Sequence, residues 1–537
     1  MNKYDNYYPR PLLQRDSFLS LNGPWTLNGK PIEVPFPPES EASGYHGDLK
    51  EIHYEKEFRI PKGFYGKEDK VLLHFGAVDQ ICDVFLNEKH LCHHEGGYLP
   101  FSINVTDSLK EDNRLEVKVI DELDPLYPYG KQAKEPSGIW YTQVSGIWQS
   151  VWLEAYPNDG IDALEIKTDA DTLKLHIDSK ADRFTIEFKG YKESFDQHDI
   201  EINVPEPHLW SIDDPYLYDL KISTKNDTIS SYFALRKTEL KKANGHYRFY
   251  LNNEPVFING LLDQGYFKKG IYTPEDPKEY EADVLNMKEL GFNTLRKHIK
   301  VEPEAFYYYC DKYGMLVIQD MVNSGTYKPL KDTVISTIGL QKIKCPIVEQ
   351  DRYDFFIQHA KDTIQQLKSH PSIIAYTIYN EGWGQQDASG SYEILKPLDP
   401  DRLFDSTSGW FFDDKSDFDS YHVYFRNKVL KEKDKALFLS ECGGFKRAME
   451  EIKGSTWGYG TATSEEELMD KIRELHEKMY IPSIKNGLMG AIYTQVSDVE
   501  TEINGLYTYD RKICKVNKKT LHELNTELQE IYKKECE

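Results

Sequence analysis

Two glutamates carry the clearest chemical signal in this chain of 537 residues. Glu381 stands near the end of PSIIAYTIYNEGWG at 371–384, where an apolar stretch stops in Asn380 and Glu381, and Glu441 closes a second apolar run in LFLSECGG at 437–444. A β-branched and aromatic run reads as a strand buried on both faces, as in a parallel sheet. In a closed βα barrel the residues that follow such strands point into the mouth where substrates bind. Two carboxyl groups about 5 to 5.5 Å apart form the pair that cleaves a glycosidic bond with retention of configuration. One donates a proton to the leaving oxygen while the other attacks. A neighbouring negative charge is the expected reason for Glu381 to keep its proton while Glu441 stays ionised. A lone Asn-Glu pair reads equally well as a solvated loop carboxylate, so the rest of the chain has to decide.

The other strand ends supply supporting groups: Asp263 or Gln264, Arg296 with His298, Asp320, residues 406–410, His422 with Tyr424, and Gln495 with Asp498. Arg296 is placed either to hold Glu441 ionised or to form an ion pair inside the barrel, and Tyr424 either to hydrogen-bond Glu441 or to pack against its neighbours. Asn380, Arg296, His298, Tyr424, His422 and Trp383 are the substrate-facing candidates.

The elements that must position these residues begin after Asn252-Asn253, where strands alternate with amphipathic helices. Strands are expected at 256–261, 293–296, 315–319, 373–379, 402–405, 421–424, 436–439 and 489–494. The clearest helix carries Tyr353, Phe356, Ile357, Ala360, Ile364 and Leu367 at helical spacing, and a closing helix carries Leu521, Leu524, Leu528 and Ile531. Eight strands over 244–537 suit a (β/α)8 barrel. Residues 1–156 read as an all-β sandwich, with 145–154 as one strand that puts Trp148 and Trp152 on one face. Residues 157–243 have the length and strand spacing of an immunoglobulin-like sandwich. Low-complexity linkers are missing, so the three units should pack against each other.

A net charge of -23 argues against a nucleic-acid partner. The N-terminus lacks the apolar core of a signal peptide, and no stretch reaches the roughly 20 apolar residues of a membrane helix, so the expected compartment is cytoplasmic, with no membrane partner. Seven scattered cysteines without metal-ligand spacing (Cys82, Cys92, Cys310, Cys345, Cys442, Cys514, Cys536) read as reduced structural thiols. Cys442 stands beside Glu441 but has no adjacent histidine to activate it.

Over essentially its whole length the chain resembles glycoside hydrolase family 2, which contains β-galactosidases, β-glucuronidases and β-mannosidases. The resemblance rests on SLNGPW at 20–25, SGIWQ at 145–149, GFNTLR at 291–296, HPSI at 370–373 running to Asn380-Glu381, and Ser440-Glu441. It implies a jelly-roll sugar-binding-like domain, an immunoglobulin-like sandwich and a catalytic TIM barrel. It also implies Glu381 as acid/base, Glu441 as nucleophile and Asn380 as partner of the sugar 2-hydroxyl. The chain departs from the family in three places. His298 stands one position early after Arg296; EINGLY at 502–507 lacks the Asn-x-Lys element tied to uronic acids; and Tyr493-Thr494-Gln495 stands where the family has a tryptophan. Gln319-Asp320 does not reproduce the metal-ligand set of the large β-galactosidases, so no metal and no cofactor are expected.

The leading expectation is an exo-acting retaining β-glycosidase for a neutral hexoside, β-galactoside first. Other family 2 specificities (β-glucuronidase, β-mannosidase, β-glucosidase, arabinosidase) are the alternatives. A non-catalytic carbohydrate-binding protein is a further alternative, and the presence of both glutamates argues against it. Nothing in the sequence identifies an oligomer contact, so a homo-oligomer stays open.

Overall fold

The computed structural model describes residues 3–328, 346–411, 413–449 and 455–537. Its C-terminal part is a parallel barrel of eight strands: β1 Ile258–Asp263, β2 Thr294–Lys297, β3 Leu316–Asp320, β4 Ile373–Asn380, β5 Leu403–Ser408, β6 Phe418–Val423, β7 Ala436–Gly443 and β8 Leu488–Thr494. Hydrogen bonds run in the order β5-β4-β3-β2-β1-β8-β7-β6, and β5 lies against β6 without a ladder, so the barrel is nearly closed. Every residue of β1, β4, β7 and β8 is buried. This is the environment that their unbroken apolar runs require.

Among the described residues seven α-helices accompany the strands: α1 Lys278–Glu289, α2 Glu304–Tyr313, α3 Gln350–Leu367, α4 Ala388–Leu395, α5 Glu465–Leu475, α6 Ile481–Ile484 and α7 Lys518–Cys536. The expected apolar stripe of α3 is the face it buries. α2 stops at Gly314, whose φ of 71° takes the left-handed cap position that favours glycine. Strand and helix do not alternate throughout. Among the described residues no helix follows β5 or β6, where the connecting segments carry acidic and basic residues without apolar periodicity, and the open seam lies between these two strands.

Two antiparallel sandwiches precede the barrel. The first stacks a four-stranded sheet built on Asp69–Phe75 and Val151–Pro157 against a six-stranded one centred on Ile52–Arg59 and Asp112–Ile120. The alternating burial of Asp112–Ile120 shows one face in the core and one in solvent. The second pairs a three-stranded sheet, 161–203, with a four-stranded one, 184–233. Residues 145–154 do not form the single strand expected of them. The segment pairs briefly at Gly146–Ile147, breaks, and resumes at Val151–Pro157. Trp148 therefore leaves the sheet to pack with Tyr98 and Tyr272, while Trp152 stacks on His74.

The second sandwich grips the base of β4. Asp311 of α2 is fully buried; its carboxylate accepts from the Ser372 backbone N–H at 2.8 Å and from Tyr232 Oη at 2.7 Å, and lies 2.7 Å from His370 Nδ1. Its backbone carbonyl accepts from Trp210 Nε1, and Arg236 Nη2 donates to the Ile373 carbonyl. Tyr232, Trp210 and Arg236 come from the second sandwich, so the strand that carries Glu381 is anchored from outside the barrel.

The six described cysteines, Cys82, Cys92, Cys310, Cys442, Cys514 and Cys536, are free, and Cys345 lies outside the described residues. Burial pushes the Cys442 thiol up to about 12, which leaves it protonated and unreactive. Among the described residues no helix is long and apolar enough to cross a membrane.

Replacing Asp311 by alanine leaves Tyr232, His370 and the Ser372 N–H without their shared buried acceptor. Leaving a buried donor without its acceptor costs about 1–3 kcal/mol. Asp311→Ala should lower the thermal midpoint measurably, with earlier proteolytic cleavage around 205–236. An unchanged midpoint would show that the anchor contributes little.

Candidate active site

The site is built from the C-terminal ends of six barrel strands. At its floor, the fully buried guanidinium of Arg296 on β2 reaches four acceptors. Nε donates to Asp320 Oδ1 at 2.9 Å, Nη1 to the Ser440 carbonyl at 3.0 Å and to Glu441 Oε1 at 3.1 Å, and Nη2 to Asn380 Oδ1 at 3.0 Å. Because Asn380 spends its carbonyl oxygen on Arg296, its amide N–H groups, which donate to no acceptor among the described residues, can donate to a bound hydroxyl. Both readings of Arg296 therefore hold at once, as internal ion pair with Asp320 and as partner of Glu441.

Glu441 does not follow β7 but sits inside it. Pairing between β6 and β7 slips where Tyr421 faces Leu439 and His422 faces Glu441. A bulge of this kind adds one residue and re-aims the side chains after it. The Glu441 carboxylate is 5% exposed and also accepts from Tyr424 Oη at 2.7 Å. The Tyr424 ring stacks on Tyr459 at 3.6 Å, so the hydroxyl is held by packing as well as by hydrogen bonds.

Glu381 follows the last residue of β4 with a φ of 56°, a left-handed backbone uncommon for a long side chain. Its N–H donates to the Ser408 carbonyl on β5 at 2.8 Å. Strain of this kind persists only where the surroundings hold it, as they do at functional sites. The side chain is 19% exposed, so of the two glutamates it is the one open to solvent. His422 bridges the pair: Nδ1 lies 2.7 Å from Glu381 Oε1 and 3.4 Å from Glu441 Oε2, and Nε2 lies 2.8 Å from Ser408 Oγ. Ligand atoms of Glu381, His422 and Glu441 all fall within 4.8 Å of one another, which brings the carboxylates to the short separation of a retaining pair.

The electrostatics separate the two acids. Burial raises the Glu381 carboxyl to about 7, against the lowering pull of Lys131 and Arg296. Desolvation, rather than the neighbouring carboxylate of the sequence-based argument, is the leading cause. Burial also raises Glu441, as does Glu381, while His422 and Arg296 oppose them. Burial holds the His422 imidazole down at about 4 and that of His298 at about 3, so both are neutral near pH 7. His298 is held by Asp320, with Nδ1 2.8 Å from Oδ2, and its Nε2 has no hydrogen-bond partner among the described residues. Trp383 is buried, with Nε1 donating to the Gly325 carbonyl at 2.8 Å.

One wall of the mouth comes from the first sandwich, which local sequence patterns did not reveal. The N–H groups of Tyr129 and Gly130 donate to the Asn323 carbonyl, and Tyr129 Oη to the Gly325 carbonyl. Tyr141 Oη is bonded to Glu502, and the Thr142 N–H to Glu500. This segment carries Trp140, with its ring 4.8 Å from Trp383 and 4.7 Å from Tyr327, and Lys131, within electrostatic reach of Glu381, Glu441, His422 and Glu502. The one available signal was the repeated SGIW: the copy ending in Trp148 is core, whereas the copy ending in Trp140 lies in a half-buried loop over the barrel.

Three family models match in order along the chain: the glycosyl hydrolase 2 galactose-binding domain-like model at 27–146, the glycosyl hydrolases family 2 model at 154–236, and the family 2 TIM barrel model at 243–441. The chain belongs to glycoside hydrolase family 2. A β-galactosidase of Staphylococcus xylosus is 22% identical over 391 residues, covering 69% of this chain and 36% of that protein. This family 2 chain thus spans little more than a third of the length of that relative. A β-glucuronidase of Rattus norvegicus is 22% identical over 428 residues, 71% of this chain and 63% of its own. Among solved structures, a Ruminococcus gnavus β-glucuronidase superimposes with a TM-score of 0.75 at 16% identity, over 98% of this chain and 99% of that one. An uncultured Clostridium sp. β-glucuronidase gives 0.74 at 18% identity, over 98% and 100%. At such identities the structural likeness concerns the fold.

Two measurements test this geometry. Tyr424→Phe removes a hydrogen bond to a charged group, worth about 1.5–3 kcal/mol, so kcat/KM should fall roughly 10- to 100-fold. Because an acid with a pKa of about 7 is active only while protonated, kcat/KM should decline as pH rises through about 7. Lys131→Met removes a charge that favours ionised Glu381, so the decline should move to higher pH. A pH profile identical to that of the unaltered chain would remove Lys131 from the site.

Proposed function

We propose that this chain is an exo-acting retaining β-glycosidase working by double displacement. The observation that carries the reading is the pairing of an open, high-pKa Glu381 with a buried, Arg296-bound Glu441 at short separation. Glu441 attacks the anomeric carbon while Glu381 gives its proton to the departing oxygen, and a glycosyl ester on Glu441 results. Esterification removes the charge of Glu441, so the pKa of Glu381 falls and Glu381 takes a proton from the incoming water. Asn380 donates to the sugar 2-hydroxyl through its free amide. His422 links the two acids and Tyr424 steadies the nucleophile. The barrel, residues 244–537, carries the chemistry, and the sandwich of 1–156 closes one side of the mouth; residues 157–243 form the unit that anchors β4.

For the sugar, a neutral β-hexoside with β-galactoside first is the leading reading, in keeping with the β-galactosidase relatives. A β-glucuronoside is the second. It is favoured by Lys131, a cation at the mouth whose ammonium group makes no hydrogen bond or ion pair among the described residues. A carboxylate at the sugar C5 position would provide one.

Hydrolysis of a panel of nitrophenyl β-glycosides decides between them, with Lys131→Met reducing turnover of the glucuronide selectively if the second reading is right. Proton NMR of the first product should show the β-anomer. Glu441→Gln should abolish turnover with the fold intact, and Glu381→Gln should slow alkyl glycosides far more than nitrophenyl ones, whose leaving groups need less protonation. Inactivity toward every β-glycoside would end the enzyme assignment.

A further inference from the structure

β5 and β6 are not joined by a ladder, and a side-chain bond crosses the seam between them: Ser408 Oγ, at the end of β5, lies 2.8 Å from Nε2 of His422 on β6. Both residues are buried, Ser408 completely. The hydroxyl has no other hydrogen-bond partner among the described residues, whereas the Ser408 carbonyl accepts from the Glu381 N–H at 2.8 Å. Ser408 thus touches the proposed acid through its backbone and the histidine beside that acid through its side chain. The imidazole is closely seated. A Cβ on Gly409, whose φ is 101°, would lie 2.8 Å from Nδ1, so glycine at this position is what leaves room for the ring.

The surroundings of Nδ1 fix where the ring carries its hydrogen. Nδ1 faces two carboxylate oxygens, Glu381 Oε1 at 2.7 Å and Glu441 Oε2 at 3.4 Å. Glu441 Oε1 accepts from Arg296 and Oε2 from Tyr424, the pattern of an ionised carboxylate. A bare Nδ1 would set its lone pair against those of Glu441 Oε2, whereas an N–H there points its hydrogen at both acids. The charged and titratable groups around the ring are Glu381, Glu441, Asp320, Arg296 and Lys131, and burial keeps the imidazole neutral among them. A neutral imidazole carries one hydrogen. With that hydrogen on Nδ1, Nε2 is an acceptor, and the group that donates to it is the Ser408 hydroxyl. Glu381 Oε1 is then occupied as an acceptor, while Oε2 makes no hydrogen bond among the described residues.

We infer that Ser408 is a positioning residue for proton donation: its hydroxyl donates to His422 Nε2, which keeps the imidazole hydrogen on Nδ1 and directed at Glu381 Oε1, and so leaves the transferable proton on Oε2. The inference rests on the double-displacement reading, with Glu381 as the acid. In the first step the proton passes from Glu381 Oε2 to the departing oxygen, and in the second Oε2 takes one from water. Ser408 and His422 keep their hydrogens throughout, so one arrangement serves both steps.

A long-range 15N–1H correlation spectrum of the chain labelled at its imidazole nitrogens, with the His422 signal assigned by its loss in His422→Gln, should show the hydrogen on Nδ1 at neutral pH. This readout needs no turnover. In kinetics, Ser408→Ala should lower kcat/KM about tenfold for an alkyl glycoside, the effect of one lost hydrogen bond, and much less for a nitrophenyl one. Ser408→Thr, which keeps the hydroxyl, should restore the alkyl rate. With Nδ1–H less firmly held, ionised Glu381 loses part of its hydrogen bond, so in Ser408→Ala the decline of kcat/KM should also move to higher pH. A hydrogen on Nε2 in the spectrum, or Ser408→Ala slowing both substrates equally with its pH profile in place, would overturn the proposal. Inactivity toward every glycoside with the hydrogen found on Nδ1 would overturn the glycosidase reading and leave the assignment of the imidazole hydrogen standing.

Discussion

The buried guanidinium of Arg296 is the constraint on which the site depends. A charge removed from water is tolerated only when its donors are matched, and an unmatched one costs several kcal/mol. Here the matching groups come from three barrel strands: Asp320 from β3, Asn380 from β4, and Glu441 with the Ser440 carbonyl from β7, around an arginine on β2. The planar fork of arginine suits this task where a lysine would not, because each acceptor lies in a set direction. Satisfying that one cation fixes the Glu441 carboxylate and holds the Asn380 side chain by its carbonyl oxygen.

Around this centre the two glutamates receive different environments. Glu441 is enclosed by Arg296, Tyr424 and His422, while Glu381 stands on a strained turn at the rim with His422 as its close polar contact. Desolvation without a comparable set of donors raises an acid; desolvation with an arginine and a tyrosine hydroxyl raises it less. Two chemically identical side chains are thus given different affinities for a proton by burial and hydrogen bonding. The remainder of the molecule maintains that difference. The second sandwich holds the base of β4 through Asp311 and Arg236, and the loop of the first sandwich lays Lys131 and Trp140 beside the mouth.

Much of this was legible in the order of residues. The unbroken apolar runs of β4 and β7 announce strands buried on both faces, and their polar ends announce the mouth of a barrel; the stripe of α3 announces its buried side. That Glu381, Glu441, Arg296 and Tyr424 meet at one mouth could be reasoned from their positions because strand ends in a barrel converge. What periodicity could not show were local breaks in regular structure. The interruption between Ile147 and Val151 sends Trp148 away from the sheet that holds Trp152, and the bulge in β7 places Glu441 within the strand rather than after it. Both depend on contacts with neighbouring strands, to which a window of sequence is blind.

By itself the sequence determined that Asn380-Glu381 and Glu441 lie at the polar ends of apolar runs with the texture of buried strands, and the count of eight such strands set those ends at the mouth of a barrel. Only the tertiary structure decided why Glu381 holds its proton, since desolvation arises from everything packed around a group and not from its neighbours in the chain. It also decided that Lys131 and Trp140, more than 200 residues earlier in the chain, belong to the same mouth. Side chains brought together by the docking of one folded unit on another share no spacing that a sequence can display.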